Sequence, residues 1–242
     1  MRVKVLFFGQ LKEIIGKTGE DVNLQDGISI GGLFDRYASQ YPRLMEHSSS
    51  LLFSKNREFA SRNDALHEGD EIAFLPPVSG GVGGSATSDT GMNSQASGEI
   101  AFLTRDRISA SSLSERLQCS RDGAVVEFEG IVRGESGGRA TLFLEYEAYE
   151  PMALNKIREI IHELKQNFMI DGVGIAHRLG RLEIGETSVA IVVTSAHRVP
   201  AFEACRHAID RLKTIVPIWK REHFSDGSVW VEGEKNSSGS SG

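Results

Sequence analysis

Val3, Val5 and Phe7 alternate with Lys4, Leu6 and Phe8 at the start of the chain. A period of two predicts a strand with at least one buried face. Gln10–Ile15 reads as a short helical turn closed by Gly16, and Glu20–Leu24 as a second strand. Ser29 is a predicted N-cap for a helix through Leu33, Phe34 and Tyr37. That helix must stop before Pro42, because a residue that precedes proline is driven out of the helical region. Leu51–Ser54 and Glu71–Leu75 complete the pattern as strands. The order strand, strand, helix, strand, strand suits a small mixed sheet wrapped on one helix.

Further on, Ala124–Val132 and Ala140–Ala148 are strand runs joined by Arg133–Arg139, a glycine-rich hairpin-like connection. Pro151 opens a helix whose Ala153, Leu154, Ile157, Ile160, Ile161 and Leu164 form an apolar stripe at helical spacing. Val173–Leu179 and Val189–Thr194 are predicted strands. A second amphipathic helix, Ala201–Leu212, should bury a face made of Phe202, Cys205, Ile209 and Leu212. Ile218–Phe224 and Ser228–Val231 should pair around the tight turn Asp226-Gly227. The whole reads as α+β, with the first part a ubiquitin-like β-grasp domain.

Residues 76–98 interrupt both patterns. They are rich in Gly, Ser, Thr and Asn and too poor in apolar surface to offset the entropy of ordering them. The expected organisation is a first domain over residues 1–81, a flexible linker over 82–98, a second domain over 99–235 and a disordered tail over 236–242. The tail's Ser/Gly run is set aside from the fold argument.

Composition narrows the function. The chain has 242 residues, 40% hydrophobic and 25% charged, with a formal net charge of −6. That balance gives no support to bulk nucleic-acid binding. No run of 18 apolar residues occurs and the N-terminus lacks a signal-peptide pattern, so the expectation is a cytoplasmic protein without a membrane span. The two cysteines, Cys119 and Cys205, lack metal-ligand spacing, so neither a disulfide framework nor a metal site is expected.

Three groups of residues offer chemistry. Gly80-Gly81 follows Pro76-Pro77, giving a stiff approach and a tip without side chains that could thread a narrow channel. The same glycines also read as the start of a flexible linker. Lys213, near the end of the second helix, and Lys220, in the following strand, sit in a region with Arg221. Clustered cations suit an anionic, phosphorylated substrate, and a lysine beside other cations or partly desolvated serves as an acid/base or nucleophile. Against this, Lys213 also fits as a cation at a helix C-terminus, and Lys220-Arg221-Glu222 as a solvated strand face. His197 and Arg198 stand where a strand ends and a helix begins, a place that attracts anions; they also read as an ordinary helix-entry turn. His162, His177 and His207 read as structural or surface residues, and Trp219 and Trp230 as packing residues.

Specific stretches carry a family resemblance. VKVLFFGQLKEIIG and EGDEIAFLPPVSGG, over residues 1–81, resemble the small, sulfur-carrier subunit of molybdopterin synthases. GAVVEFEGIVR, LEYEAYEPMA, HRLGRLEIGE, VTSAHRVPAFEAC and LKTIVPIWKRE, within about 123–233, resemble the large, catalytic subunit, with its α/β-hammerhead-type fold. Several motifs in the right order make this specific.

The resemblance implies a fusion of the two subunits. It implies a sulfurtransferase that takes sulfur from a thiocarboxylate on Gly81, after Gly80, and delivers it to cyclic pyranopterin monophosphate. It implies Lys213 and Lys220 as catalytic residues and Arg133, His197 and Arg198 as substrate-binding residues, without a cofactor. It implies two partners, an enzyme that adenylates and sulfurates the diglycine and a second copy in a homodimer through the catalytic domain. One departure stands out: Val82 follows Gly81, so the carboxyl that must be activated lies in a peptide bond. Two rival readings are a carrier and scaffold whose second domain only binds, and a ubiquitin-like modifier of other proteins.

Overall fold

The computed structural model describes residues 1–77 and 98–231. Gly80, Gly81, the linker up to residue 97 and the tail from residue 232 lie outside the described residues. The described residues divide into two compact units, residues 1–77 and 98–231.

The first unit runs β1 (Arg2–Phe7), α1 (Gln10–Ile15), β2 (Gly19–Asn23), α2 (Ile30–Gln40), a 3-10 turn (Pro42–His47), β3 (Leu52–Lys55), β4 (Glu58–Ala60) and β5 (Glu71–Leu75). The sheet order is β2-β1-β5-β3-β4, with β1 and β5 parallel and the other pairs antiparallel. The alternation read from the sequence is real: Val3, Val5 and Phe7 are buried. Ser29 caps α2 as expected, its Oγ accepting from the Gly32 N–H at 3.2 Å, and α2 ends ahead of Pro42. Phe74 lies at the centre of the core. Its ring meets those of Phe7, Phe34, Tyr37 and Phe53 edge-on, with centroids 5.5–5.9 Å apart. Such contacts add to the burial of the rings themselves. A mixed five-stranded sheet closed over one main helix is the ubiquitin-like β-grasp.

The second unit runs β6 (Glu99–Thr104), α3 (Ala110–Leu117), β7 (Ala124–Ile131), β8 (Glu135–Ser136), β9 (Arg139–Ala148), α4 (Glu150–Asn167), β10 (Gly172–Arg178), β11 (Gly180–Glu183), β12 (Thr187–Ser195), α5 (Arg198–Ile215), β13 (Ile218–Phe224) and β14 (Gly227–Val231). One sheet has the order β6-β10-β12-β7. The other has the order β11-β9-β13-β14, with β8 paired to β9. Side chains of α4 and α5 pack with Val173, Ile175, Val189, Ile191 and Val193 in one cluster. α3 packs with Ala176, Ala190 and Val192 in another. Since neighbouring residues of a strand point to opposite faces, the first sheet is covered on both. This is why β12 reads as a nearly continuous apolar run instead of an alternating one.

Several elements escaped the sequence reading: β4, β6, α3, β11 and the 3-10 turn. The expected buried face of α5 needs correction at Phe202, which is 62% exposed. The face that packs consists of Ala201, Ala204, Cys205, Ala208 and Leu212. Small residues let the helix approach the sheet closely, and a bulky ring at position 202 falls outside that seam.

Candidate active site

α5 organises the candidate residues. β12 ends at Ser195, whose Oγ donates to the Met169 carbonyl at 2.8 Å and accepts from the His197 N–H at 3.3 Å. His197 is the N-cap residue in extended conformation, and its side chain makes no capping hydrogen bond. Arg198 is the first helical residue. Both side chains are exposed, beside the unsatisfied N–H groups of an 18-residue helix. Both residues thus stand at a helix N-terminus, the kind of place that attracts anions.

Lys213 occupies the last turn of the same helix and is exposed. Only Val216 and Pro217 separate α5 from β13, whose third residue is Lys220. The Pro217 carbonyl accepts from the Tyr149 N–H at 3.1 Å, so the N-terminus of α4 abuts the connection between the two lysines. Lys213 and Lys220 therefore lie about one end of α5, and His197 and Arg198 about the other. At about 1.5 Å of rise per residue, some 22 Å of helix separates Arg198 from Lys213.

Lys220 pairs across the sheet with Tyr146 of β9. It shares one face of β13 with Ile218, Glu222 and Phe224, all three of which are buried. Its Nζ lies 3.2 Å from Oε1 of Glu222, and the side chains of the pair are 24% and 6% exposed. The strand is thus not a solvated face. It turns Lys220 and Glu222 inward, while Arg221, on the other face, lies over the Trp230 ring at 5.7 Å. Trp219 is buried, as a packing residue should be.

Arg133 is exposed on the connection between β7 and β8. The Val132 N–H donates to Glu186 and the Gly134 carbonyl accepts from Thr141, which fixes the backbone on either side. Thr141 pairs with Phe224, so the Arg133 corner stands near the far end of β13, about 13 Å of strand from Lys220. Three other histidines of this unit have plain roles. His177 is fully enclosed, its Nδ1 2.9 Å from the Arg178 carbonyl oxygen, and burial pushes its pKa down to about 4. His207 faces Glu163 across 3.9 Å, and His223 stacks on Phe143 at 4.1 Å. Among the described residues, one group has the spacing for a metal ion: Cys119, Asp122 and Asp171, with ligand atoms within 4.8 Å of one another. Asp122 already accepts from the Cys119 N–H at 2.7 Å, and Arg121 stands 3.2 Å from Asp171.

Known proteins divide the chain in the same way. The family model described as MoaE protein matches residues 103–215, and that described as ThiS family matches residues 5–81. The molybdopterin synthase catalytic subunit of Bacillus subtilis is 41% identical over 129 residues, covering 53% of this chain and 82% of that protein. The human protein of the same name is 37% identical over 132 residues, 54% of this chain and 70% of its own length. The chain belongs to the molybdopterin synthase catalytic-subunit family. It carries a ThiS-family domain ahead of the catalytic one. The crystal structure of molybdopterin synthase from Staphylococcus aureus superposes with a TM-score of 0.53 at 40% identity, over 54% of this chain and 96% of that one. Family membership rests on the second unit, the one that holds both lysines. Among the described residues, no helix is long and apolar enough to cross a membrane.

The sequence reading missed Glu222. It was visible only as part of a charged triplet, and its burial depends on β13 lying between β9 and β14.

Proposed function

We propose that this chain is a molybdopterin synthase whose sulfur carrier and catalytic unit are made as one polypeptide. The observation that carries this reading is a ThiS-family domain and a MoaE domain in one chain, in that order. The carrier domain spans residues 1–81, a linker 82–98 and the catalytic domain 99–235. Hydrolysis of the Gly81–Val82 peptide bond frees the carboxyl of Gly81, with Gly80 behind it. A partner enzyme adenylates that carboxyl and converts it to a thiocarboxylate.

Sulfur then goes to cyclic pyranopterin monophosphate. In each delivery the thiocarboxylate sulfur forms a bond to a side-chain carbon of the pterin as a carbon–oxygen bond at that carbon breaks; in the first delivery the oxygen leaves as water. Water attacks the resulting thioester carbonyl, the carbon–sulfur bond to Gly81 breaks, and the sulfur stays on the pterin as thiolate. Two deliveries make the dithiolene, and the second expels the phosphate-linked oxygen. Lys213 lies next to the thiocarboxylate. Lys220 donates a proton or stabilises the developing anion, where a fixed cation is most effective. Arg133, His197 and Arg198 anchor the substrate.

The length of α5 bears on how these residues meet. A pterin monophosphate cannot touch both ends of a helix whose candidate residues stand about 22 Å apart. The reading therefore includes a homodimer in which His197 and Arg198 of one copy serve the lysines of the other. An isologous interface builds two such sites at once. Intact-mass analysis of the protein from its own cells tests the processing step. The expected result is a fragment ending at Gly81, in carboxylate and thiocarboxylate forms. Only full-length chain in cells with active molybdenum enzymes would contradict it.

A further inference from the structure

We infer that Glu222 is a positioning residue for Lys220, holding its ammonium in place from inside the protein. The inference rests on the reading of Lys220 as catalytic given above. Three observations support it. First, Glu222 is 5% exposed, and a carboxylate removed from water needs a charged or hydrogen-bonding partner. Its Oε1 has one in the Lys220 Nζ at 3.2 Å.

Second, the pair is built into the strand. Residues two apart on β13 share a face, and that face looks inward: Ile218 and Phe224, before and after the pair, are buried. Lysine has a long, freely rotating stem, so an exposed ammonium samples a wide volume. A carboxylate fixed on the same strand confines it, and the stem, 24% exposed, keeps contact with solvent. A charged group fixed before the reaction stabilises developing charge without reorganising.

Third, Glu222 lies in a wider polar arrangement beneath Lys220. Tyr146, the cross-strand neighbour of Lys220, carries a phenol whose pKa is raised by burial; a hydrogen bond with Ser188 opposes the shift and the charge of Glu222 adds to it. Ser188 is itself anchored, donating to the Gly130 carbonyl at 2.9 Å. The floor under Lys220 is thus tied to both sheets of the unit.

The test compares Glu222→Gln, Glu222→Asp, Lys220→Ala and the double variant Glu222→Gln/Lys220→Ala. Each is made in the whole chain, cut after Gly81 and thiocarboxylated, and assayed with cyclic pyranopterin monophosphate. Glu222→Gln is expected to lower kcat by about tenfold or more, with KM within about twofold, since a group acting in the transition state affects kcat alone. In the Lys220→Ala background the same change should cost nothing further, because coupled residues are not additive. If Glu222→Gln does not fold, Glu222→Asp keeps the charge and moves it back by one methylene, and should show the same loss in kcat. Full kcat in a folded Glu222 variant, or losses that multiply in the double variant, would overturn the inference. Normal turnover by Lys220→Ala is a different failure: it removes the catalytic reading of Lys220 on which the inference stands.

Discussion

His197 immediately precedes the first turn of α5 and Lys213 sits in its last, so the two stand at opposite ends of one 18-residue helix. No rotamer change brings them to one small substrate. If each site takes His197 and Arg198 from one copy and the lysines from the other, two inactive variants should complement. His197→Ala/Arg198→Ala and Lys213→Ala are each expected to be inactive. Unfolded or dissociated together and reassembled at equal amounts, they form mixed dimers with one intact site each, restoring about a quarter of normal turnover. Turnover that stays at the level of the separate variants would show that each site is made within one copy.

The two lysines should differ in what they do to stability. Lys213 is exposed, and its replacement by alanine should change the unfolding midpoint little. Lys220→Ala leaves Glu222 buried without its cation. Breaking a buried pair is costly; discounted for the partial exposure of Lys220, the loss is about 1–3 kcal/mol. Both variants should lose turnover by at least about 10²-fold. Urea titrations of the two variants beside the parent protein check the contrast. Equal midpoints for Lys213→Ala and Lys220→Ala would mean the Glu222 contact contributes nothing to the fold.

Much of this was legible in the sequence, for physical reasons that differ by element. β1 and the stripe of α4 announce themselves because one side faces water and the other a core, which writes a period into the residues. Ser29 and Pro42 mark the limits of α2 through backbone chemistry that needs no tertiary context. α3 and β6 were not legible. α3 is an eight-residue helix whose Leu113 and Leu117 give little periodicity, and every residue of β6 is half-buried, so it shows no alternation. The seam of α5 does not follow hydrophobicity: Phe202 is apolar yet exposed, and small residues make the packing face. Lys213 and Lys220 were found through motif resemblance, and the inward turn of Lys220 needed the sheet.

His177 makes stability depend on pH. Its folded pKa is about 4, below the ordinary value of 6.5. The unfolded chain therefore binds a proton there first as pH falls, and the folded state holds the ring neutral. The contribution is fully present above pH 6.5 and is lost as pH drops from 6.5 towards 4, amounting to about 3 kcal/mol at about 1.4 kcal/mol per unit. Both tryptophans, Trp219 and Trp230, lie in the catalytic unit, so their fluorescence reports its unfolding alone. Urea midpoints followed this way should fall between pH 6.5 and 5, and fall less steeply in His177→Gln. Identical slopes in the two proteins would place the pH dependence elsewhere.

The central claim is that this one chain carries both the sulfur and the site that transfers it. The direct measurement is mass spectrometry of pterin and carrier after one reaction. The chain, cut after Gly81 and thiocarboxylated there, is mixed with cyclic pyranopterin monophosphate in the absence of any other sulfur source. The account predicts a pterin that has gained two sulfur atoms, with two carriers per pterin returned as the Gly81 carboxylate, and no such product from Lys213→Ala. Unchanged pterin beside intact thiocarboxylate, with the parent protein folded, would contradict it.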